Sequence, residues 1–387
     1  MFYNNNGRPT VEWLSALEAE AATRRAAGLR RELVPRDPGD PVVDLAGNDY
    51  LGLSRHPDVL AAAAHALLDF GLGATGSRLV RGSTAAHRDL EAGLAGLLGF
   101  ERALVYSSGY LANLGAVRTL ARPGALVVSD AHNHASLIDG CRLARCETVV
   151  APHQDPDFVR RELSRHPGRP AVVVTESIFS VDGDLAPLPE LYEVTSAHGA
   201  LLLVDDAHAL GVIGPSGAGG VAAAGLSGAP GLVVTATLSK SLGAAGGVIA
   251  GPRQLHRELL DTGRTFIFDT ALPPAVAAGA LTALRLLESG DHLRAELHDR
   301  ARRAVDRLRS EGLEVSEPAG GVISVAAPSP DEAYAWAAAC RERGVAVGCF
   351  RPPSTPDGRS RLRLTIGVGV PAADFDQAVD IIAKERP

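Results

Sequence analysis

The chain has 387 residues, a length that predicts two domains. Its composition, with 46% hydrophobic and 21% charged residues, is typical of a globular protein. A formal net charge of −7 argues against a nucleic-acid partner, and no apolar stretch approaches the roughly 18 residues that would span a membrane. The four cysteines form no CxxC pair, and the amino-terminal residues lack the charged-then-apolar order of a signal peptide. We therefore expect reduced thiols in a cytoplasmic protein.

The first part of the chain predicts a helix followed by a buried sheet. The helix covers residues 10–33, and a Pro/Asp/Gly-rich linker follows it. Short apolar runs that end in small polar residues then alternate with helical segments; the runs are 102–110, 124–136, 171–184, 200–208 and 231–240. This alternation is typical of a mostly parallel sheet, in which a ligand binds at the carboxyl ends of the strands.

The pattern changes near residue 275. An Arg- and Glu-rich helix is predicted at about 291–311 and an amphipathic helix near 331–343, with apolar runs on either side of the second helix. These elements predict a smaller α+β unit. The predicted organisation is an amino-terminal helix and linker (1–45), a large domain (46–275) and a small carboxyl-terminal domain (276–387).

Lysine occurs at only two positions, 240 and 384, although the chain has 38 lysines and arginines in total. Lys240 follows the last apolar run, in the sequence TLSKSLGAAGG. A lysine amine can condense with an aldehyde to a Schiff base, whereas an arginine guanidinium cannot. The flanking Ser, Thr and Gly residues would let a phosphate approach the backbone. The alternative is an ordinary solvated surface lysine.

The sequence VDDAH (204–208) ends the preceding apolar run. A carboxylate at the end of a buried strand is costly unless it is paired. A protonated pyridine nitrogen would be a useful partner for Asp205, and His208 could lie near the oxygen of the same ring. The alternative is that Asp205 only caps the next helix.

The sequence DAHNHASL (130–137) supplies two histidines, one of which could stack on an aromatic cofactor. Two alternatives stay open. The histidines could make ordinary polar contacts at a strand end, or they could belong to a metal site with ligands drawn from His132, His134, Asp205, Asp206 and His208. No HExxH or comparable spacing supports the metal site.

Two glycine-containing segments predict different roles. The GxGxxG at Gly71, Gly73 and Gly76 follows a helix rather than a strand, so it predicts a loop for close approach of substrate or a neighbouring subunit, not a dinucleotide site. The segment SSGYLANLGAV (107–117) is a turn that opens a helix. Free N–H groups at such a helix start could bind a phosphate.

Several of these segments occur in the same order in one known family. They are NDYLGL (48–53), SSGYLAN (107–113), DAHNHASL (130–137), TESIFSVDGD (175–184), VDDAH (204–208), TLSKSLGAAGG (237–247) and RLRLT (361–365). Together they resemble the α-oxoamine synthases, a family within the fold-type I pyridoxal 5′-phosphate (PLP) enzymes. The resemblance implies an α/β fold: a large domain with a mostly parallel seven-stranded sheet, and a smaller α+β carboxyl-terminal domain.

The segment RPPSTPDGRSRLRLT (351–365) is most similar to the family members that join L-alanine to a pimeloyl thioester in biotin biosynthesis. It departs from their usual RPPTVP at Ser354 and Thr355, although Ser354 keeps a hydroxyl. The resemblance implies L-alanine and either pimeloyl-CoA or a pimeloyl acyl carrier protein as substrates. It also implies a homodimer, because the family's sites lie at a subunit interface.

The resemblance implies a role for individual residues of this chain. Lys240 would form the Schiff base with PLP and remove the α-proton of the amino acid, and Asp205 would pair with the pyridine nitrogen. The other expected contacts are His134 on the ring and the substrate, His208 at the ring oxygen, Ser180 beside the cofactor, Gly109, Tyr110 and Thr237 at the phosphate, Thr270 from the partner subunit, Arg363 on the amino-acid carboxylate, Arg30, Asn48 and Ser354 on the acyl side, and Glu176 nearby. Arg30 would pair with the distal carboxylate of the pimeloyl chain. The alternative is that Arg30 is an ordinary solvated arginine.

Three other functions stay open at this point. The first is another α-oxoamine synthase, such as a 5-aminolevulinate synthase, a 2-amino-3-ketobutyrate CoA ligase or a serine palmitoyltransferase relative. The second is a metal-dependent hydrolase that uses the His/Asp cluster. The third is a cofactor-free structural relative, which is disfavoured because Lys240 and Asp205 are both present.

Overall fold

Helices and strands alternate through most of the computed structural model, which describes residues 12–387; positions 10 and 11 of the first predicted helix lie outside it. The helices are α1 Glu12–Ala26, α2 Pro57–Phe70, α3 Ala85–Leu98, α4 Gly109–Leu120, α5 Ala135–Ala144, α6 Pro156–Arg165, α7 Leu188–Ala197, α8 Gly220–Ala223, α9 Arg253–Thr262, α10 Arg264–Ile267, α11 Pro274–Glu288, α12 Asp291–Ser310, α13 Pro330–Glu342 and α14 Ala372–Lys384. The strands are β1 Val43–Leu45, β2 Arg102–Tyr106, β3 Leu126–Asp130, β4 Glu147–Ala151, β5 Ala171–Glu176, β6 Leu201–Asp205, β7 Leu232–Thr237, β8 Gly247–Gly251, β9 Val322–Ala326, β10 Val345–Phe350 and β11 Arg361–Thr365.

The first helix, α1, is shorter than the sequence predicts. It ends at Ala26 because Gly28 takes a φ of +66°, and the backbone N–H of Leu29 then bonds back to the carbonyl of Arg24. A left-handed glycine followed by such a bond is a common way to end a helix. None of the α1 side chains is buried, so this helix lies on the surface.

The large sheet has seven strands in the order β2-β8-β7-β6-β5-β3-β4. Five neighbouring strands, from β7 to β4, run parallel, and β8 is antiparallel to both of its neighbours. The apolar runs of the sequence correspond to β2, β3, β5, β6 and β7. The expected mostly parallel seven-stranded sheet is therefore confirmed, with β4 and β8 as the strands that the apolar runs did not indicate.

The strands are apolar at consecutive positions because both faces of the sheet are covered. In β5, Val172 and Val174 pack into one core cluster, whereas Val173 packs into the cluster on the opposite face. Every residue of β5 and of β7 is buried. Polar side chains can therefore reach a ligand only beyond the ends of these strands, which fixes the place of the site.

A second sheet of four strands, in the order β1-β10-β11-β9, forms the small domain. Its first strand comes from the predicted amino-terminal linker, since Val43 pairs with Val345 in a parallel bridge. The predicted division near residue 275 falls at the start of α11, and α11 packs on the large domain, with Gly279 against Val59 and Ala63. Within residues 12–387, no helix is long and apolar enough to cross a membrane.

Candidate active site

A cleft of about 390 Å³ opens at the carboxyl ends of the central strands of the large sheet, where β10 and β11 of the small domain face them. Ten of the residues predicted for the site line it: Asn48, Gly109, Tyr110, His134, Ser180, Asp205, His208, Thr237, Lys240 and Arg363. The structure adds Ser108, Asn113, Ser136, Glu176, Ala207, Ala236, Ser239 and Phe350 to the lining. The predicted residues, which come from seven separate parts of the sequence, thus meet in one place.

Lys240 lies in this cleft just beyond the end of β7. Burial lowers the pKa of its amine from the ordinary 10.5 to about 8; the carboxylate of Asp205 opposes this shift, and the guanidinium of Arg363 adds to it. An amine with such a pKa is partly neutral near pH 8. It can therefore act as a nucleophile or accept a proton, which an ordinary surface lysine does poorly at that pH.

Asp205 is 5% exposed and is held by two hydrogen bonds. Its Oδ2 accepts from Nδ2 of Asn113 at 2.6 Å, and its Oδ1 accepts from the backbone N–H of Ala207 at 3.0 Å. Asn113 is itself fixed, because its Oδ1 accepts from the Thr235 hydroxyl at 2.5 Å and its Nδ2 also donates to Ser136 at 2.8 Å. The carboxylate therefore has one orientation, as a fixed counter-charge requires.

The ring of His134 is exposed to the cleft, and its backbone and ring are both anchored. The backbone N–H donates to Oε1 of the buried Glu176 at 2.6 Å. The ring Nδ1 lies 2.7 Å from the Ser136 hydroxyl. Because that hydroxyl already accepts from Asn113, its own proton is free for Nδ1, and the outward edge of the ring carries Nε2.

His208 is buried and is positioned by a residue that the sequence analysis missed, Tyr50. The Tyr50 hydroxyl lies 2.6 Å from Nδ1 of His208. Burial raises the pKa of Tyr50 to about 12, although Arg363 beside it opposes this, and burial lowers the pKa of His208 well below its usual range. Both groups are therefore neutral at pH 7.

The direction of the Tyr50–His208 bond follows from the neighbouring guanidinium. The guanidinium beside Tyr50 has only donors, so it favours Tyr50 as the donor to Nδ1 of His208. The neutral ring of His208 then carries its proton on Nε2. This tautomer can donate a hydrogen bond to an oxygen in the cleft.

The segment predicted to bind a phosphate begins α4, as expected. Ser108 caps the helix by accepting from the N–H of Leu111 at 3.2 Å, and Gly109 is the first helical residue. A Cβ on Gly109 would lie 3.1 Å from the Cβ of Thr237, so glycine leaves room at this helix start. Tyr110 is 43% exposed and donates to Asp139 at 2.6 Å.

Arg363 projects from β11 into the cleft and is held on two sides. Its Nε donates to the carbonyl of Ser180 at 2.7 Å, and both terminal nitrogens lie 3.2 Å from Oδ1 of Asn48. The side chain is buried. Its guanidinium is the fixed cation of the cleft and suits a carboxylate ligand.

Three predicted residues lie outside the cleft. Thr270 is exposed and pairs with Ser77 in an isolated bridge. Arg30 and Ser354 line a neighbouring cavity of about 540 Å³, which shares Phe350 with the cleft. In that cavity Arg30 pairs with Glu32 at 2.8 Å, whereas the adjacent Arg31 donates to the Ser354 hydroxyl at 2.7 Å.

The candidate metal ligands of the sequence do not form a metal site, although His134, Asp205 and His208 line the same cleft. Among the residues that the structure describes, no group of three His, Cys, Asp or Glu side chains could hold a metal ion. His132 instead stacks on His153 with 3.8 Å between ring centroids. Asp206 turns away from the cleft to the Ser177 hydroxyl and the N–H of Gly220.

The site residues that the sequence analysis missed act through other residues. Asn113 and Tyr50 sit inside quoted motifs, yet their partners Asp205 and His208 are far away in sequence. Phe350 lines both the cleft and the neighbouring cavity. Only the position of Asn113, one helical turn after Gly109 in the predicted phosphate-binding segment, was a usable signal, since it places the side chain on the same helix face.

A sequence profile described as "Aminotransferase class I and II" matches residues 40–382. The chain therefore belongs to the class I and II aminotransferase family. Its curated relatives narrow this class: the 8-amino-7-oxononanoate synthase of Mycolicibacterium smegmatis is 52% identical over 361 residues, which cover 92% of each protein. The synthase of Mycolicibacterium paratuberculosis is 52% identical over 373 residues, or 95% of this chain and 94% of the relative. The family is thus that of the 8-amino-7-oxononanoate synthases.

Solved structures give the same family. A serine palmitoyltransferase from S. paucimobilis, solved with a bound PLP–myriocin aldimine, has a TM-score of 0.90 and 31% identity over 98% of both chains. An 8-amino-7-oxononanoate synthase from Francisella tularensis has a TM-score of 0.76 and 27% identity over 89% of this chain and 97% of that one. The resemblance to the α-oxoamine synthases is confirmed, and the chain is a PLP-dependent enzyme. Membership of this family argues against the two alternatives from other classes, a metal-dependent hydrolase and a cofactor-free structural relative.

Proposed function

We propose that this chain catalyses the decarboxylative condensation of L-alanine with a pimeloyl thioester to 8-amino-7-oxononanoate, with release of carbon dioxide and a free thiol. The curated relatives, named 8-amino-7-oxononanoate synthases, support the reaction. One observation carries it in the structure: an amine, a fixed carboxylate and a buried guanidinium, from Lys240, Asp205 and Arg363, line a single cleft. These groups suit a reaction in which an amino acid is bound by its carboxylate, deprotonated at Cα and decarboxylated.

The cleft fits PLP by the chemistry of its groups. The start of α4 at Gly109 offers backbone N–H groups to a phosphate, and Thr237 lies beside it. Asp205 offers a fixed anion to the pyridine nitrogen, and Nε2 of His208 offers a donor to the ring oxygen. When bound, PLP supplies the electron sink that stabilises negative charge at the amino-acid Cα.

Lys240 would move the proton of the reaction. Its amine has a pKa near 8 because it is buried, so a neutral fraction exists under mildly alkaline conditions. The neutral Nζ would take the proton from Cα of alanine. That Cα then bonds to the thioester carbonyl carbon, the C–S bond breaks, and the thiolate leaves and takes a proton from solvent.

Arg363 would bind the carboxylate of alanine and so orient the Cα–H bond. Its guanidinium is fixed by Ser180 and Asn48, which leaves little freedom to lose when the substrate binds. The carboxylate is lost as carbon dioxide after the new C–C bond has formed. The proton on Lys240 can then return to the same carbon.

We place the acyl donor in the neighbouring cavity, which Arg30, Arg31, Arg341 and Arg351 surround. Such a ring of cations suits the distal carboxylate of a pimeloyl chain, or the phosphates of CoA or of a carrier protein's prosthetic group. Arg351 fixes part of the wall, since it donates to the carbonyls of Gly28 and Arg30. Pimeloyl-CoA and a pimeloyl acyl carrier protein are both candidate donors.

We also propose that two copies of the chain form the complete site. Several large apolar side chains on α2 and on the loops beyond it are exposed, among them Leu68 at 86%, Leu72 at 85%, Val80 at 82% and Phe268 at 70%. Apolar surface of this extent is typical of an interface between protein chains. Thr270 lies next to Phe268, so a second copy covering this surface would bring its own Thr270 close to the interface, as the resemblance implies.

A serine palmitoyltransferase-like activity is the second candidate, because that structure has the higher TM-score. A shared fold does not decide the acyl chain, whereas side chains of the cavity do. The test is a steady-state panel of pimeloyl, palmitoyl, acetyl and succinyl thioesters against alanine, serine and glycine. The proposal requires alanine and pimeloyl to give the highest kcat/KM; a preference for serine and palmitoyl would overturn it.

A further inference from the structure

The loop of residues 177–185, between β5 and α7, is fastened to the small domain beside the cleft. The carbonyl of Gly183 accepts from the N–H of Ala319 at 2.8 Å. Gly183 has a φ of +74°, and a Cβ there would lie 2.2 Å from the carbonyl oxygen of Val322 in β9. Any side chain at this position would push the 177–185 loop away from the small domain.

Asp182, in the middle of this loop, is held by side chains of the small sheet. Its two oxygens accept from Nη1 of Arg361 at 2.6 and 2.7 Å, and the Ser324 hydroxyl donates to Oδ1 at 2.6 Å. The Arg361 side chain is 5% exposed and also donates to Asp357. A guanidinium buried between two carboxylates has little freedom to move.

The same strand holds the loop at a second point. Arg361 and Arg363 occupy alternate positions of β11, so both side chains project from one face of the strand. Arg361 reaches the loop through Asp182, and Arg363 reaches it through the carbonyl of Ser180. The loop and β11 are therefore joined as one unit.

We propose that Asp182 is a positioning residue for the amino-acid substrate, because its pair with Arg361 sets where β11 places Arg363. The loop follows directly on Glu176, which anchors the backbone of His134, so it connects the cofactor side of the cleft with the carboxylate side. The inference rests on the proposed role of Arg363. It assigns a function to a charged pair that lies outside the lining of the cleft.

The test compares Asp182→Asn with Glu314→Gln in the PLP-loaded enzyme. Glu314 is the matched control, since both of its oxygens accept from one nitrogen, Nη2 of Arg359, at 2.7 and 2.8 Å, on the exposed surface just before β11. The dissociation constant of alanine is measured from the absorbance change of the bound cofactor. We expect about tenfold weaker alanine binding in Asp182→Asn, with unchanged PLP affinity and pimeloyl-thioester KM, and no change in the control.

Two further measurements test whether the effect comes from the ion pair between Asp182 and Arg361. Arg361→Lys keeps the charge but has one nitrogen in place of the two that contact Asp182 and Asp357. It should therefore also weaken alanine binding, and the double variant should be no worse than the more affected single variant. Hydrogen exchange of the peptide that covers residues 177–185, measured without cofactor, should be faster in Asp182→Asn than in wild type or Glu314→Gln.

Alanine affinity within twofold of wild type in both Asp182→Asn and Arg361→Lys would overturn the inference. A parallel loss of affinity for alanine, PLP and the thioester would also overturn it, because that result marks a general loosening of the fold. Failure of the underlying function gives a different result: if Arg363→Ala keeps its alanine affinity, Arg363 does not bind the carboxylate and the proposed function loses that contact.

Discussion

The cleft and the neighbouring cavity hold their polar groups in different ways. In the cleft, the side chains of Asp205, Asn113 and Thr235 are buried and bond to one another at 2.5–2.6 Å. In the cavity, Arg30 is 59% exposed and pairs with a glutamate that is 50% exposed. Buried networks keep one geometry, whereas exposed ion pairs contribute little and rearrange easily. The cleft therefore keeps its groups in one geometry, as the proposed cofactor chemistry requires, whereas the cavity, where we propose that the acyl donor binds, can adjust to its ligand.

The largest expected effect tests whether the cleft depends on its single amine. Lys240→Ala should abolish turnover, because no other lysine except Lys384 exists in the chain. Lys384→Ala is the matched control and should behave as wild type. In wild type, borohydride should attach the cofactor to the peptide that contains Lys240; attachment to the Lys384 peptide would contradict the assignment.

The next test removes the charge of Asp205 but keeps the shape of its side chain. Asp205→Asn should lower kcat by at least about a hundredfold while PLP remains bound, since a fixed counter-charge of this kind is usually a large contribution to catalysis. Asp206→Asn is the control, because Asp206 is also buried but bonds to Ser177 and Gly220 instead of facing the cleft. Near-normal turnover of Asp205→Asn would show that Asp205 only caps the helix after its strand and does not act in catalysis.

The pH dependence of cofactor uptake distinguishes a buried amine from a surface one. Only the neutral amine of Lys240 reacts with an aldehyde, and its pKa is about 8 instead of 10.5 because of burial. Below pH 8 the rate of PLP incorporation into the apoenzyme should rise about tenfold per pH unit, and above pH 8 it should level off. Stopped-flow absorbance measures this rate. A rate that still rises beyond pH 10 would show that the amine is not buried.

A smaller effect is expected from the residue that orients His208. Tyr50→Phe removes the hydroxyl that donates to Nδ1 of His208, so we expect kcat to fall about tenfold to a hundredfold, as for other groups that orient a functional side chain. The ¹⁵N shift of Nδ1 should change with it. Tyr106→Phe is the control, since the buried Tyr106 hydroxyl has no hydrogen-bond partner within residues 12–387. Equal losses in both variants would mean that packing alone matters.

The smallest effects are expected in the cavity. Arg30→Ala and Arg31→Ala should each weaken use of the pimeloyl thioester about tenfold and leave alanine binding unchanged, which is the usual loss for one charge-assisted contact. Arg24→Ala is the control, because Arg24 pairs with Glu20 on the exposed α1 helix. Unchanged pimeloyl kinetics in Arg30→Ala alone would assign the distal carboxylate to Arg31, which already contacts Ser354.

Part of the site was predictable because its residues lie at strand ends in short motifs. Lys240, Asp205 and His134 follow β7, β6 and β3, and parallel strands bring their carboxyl ends to one edge. The pair of Tyr50 with His208 was not predictable, since these residues lie in different motifs, 158 positions apart, and meet only in the folded chain. The pair of Asp182 with Arg361 was not predictable for the same reason, since these residues are 179 positions apart in the sequence.

The sequence by itself determined the mostly parallel sheet, through five of its strands, the chemical groups at its carboxyl edge and the family, because apolar periodicity and local motifs are properties of neighbouring residues. Only the tertiary structure decided that Val43–Leu45 joins the small sheet. It also decided that Arg31 instead of Arg30 reaches Ser354 and that the Tyr50 hydroxyl lies beside Nδ1 of His208. These outcomes depend on which distant backbone or side chain lies within hydrogen-bonding distance, a condition that no local pattern encodes.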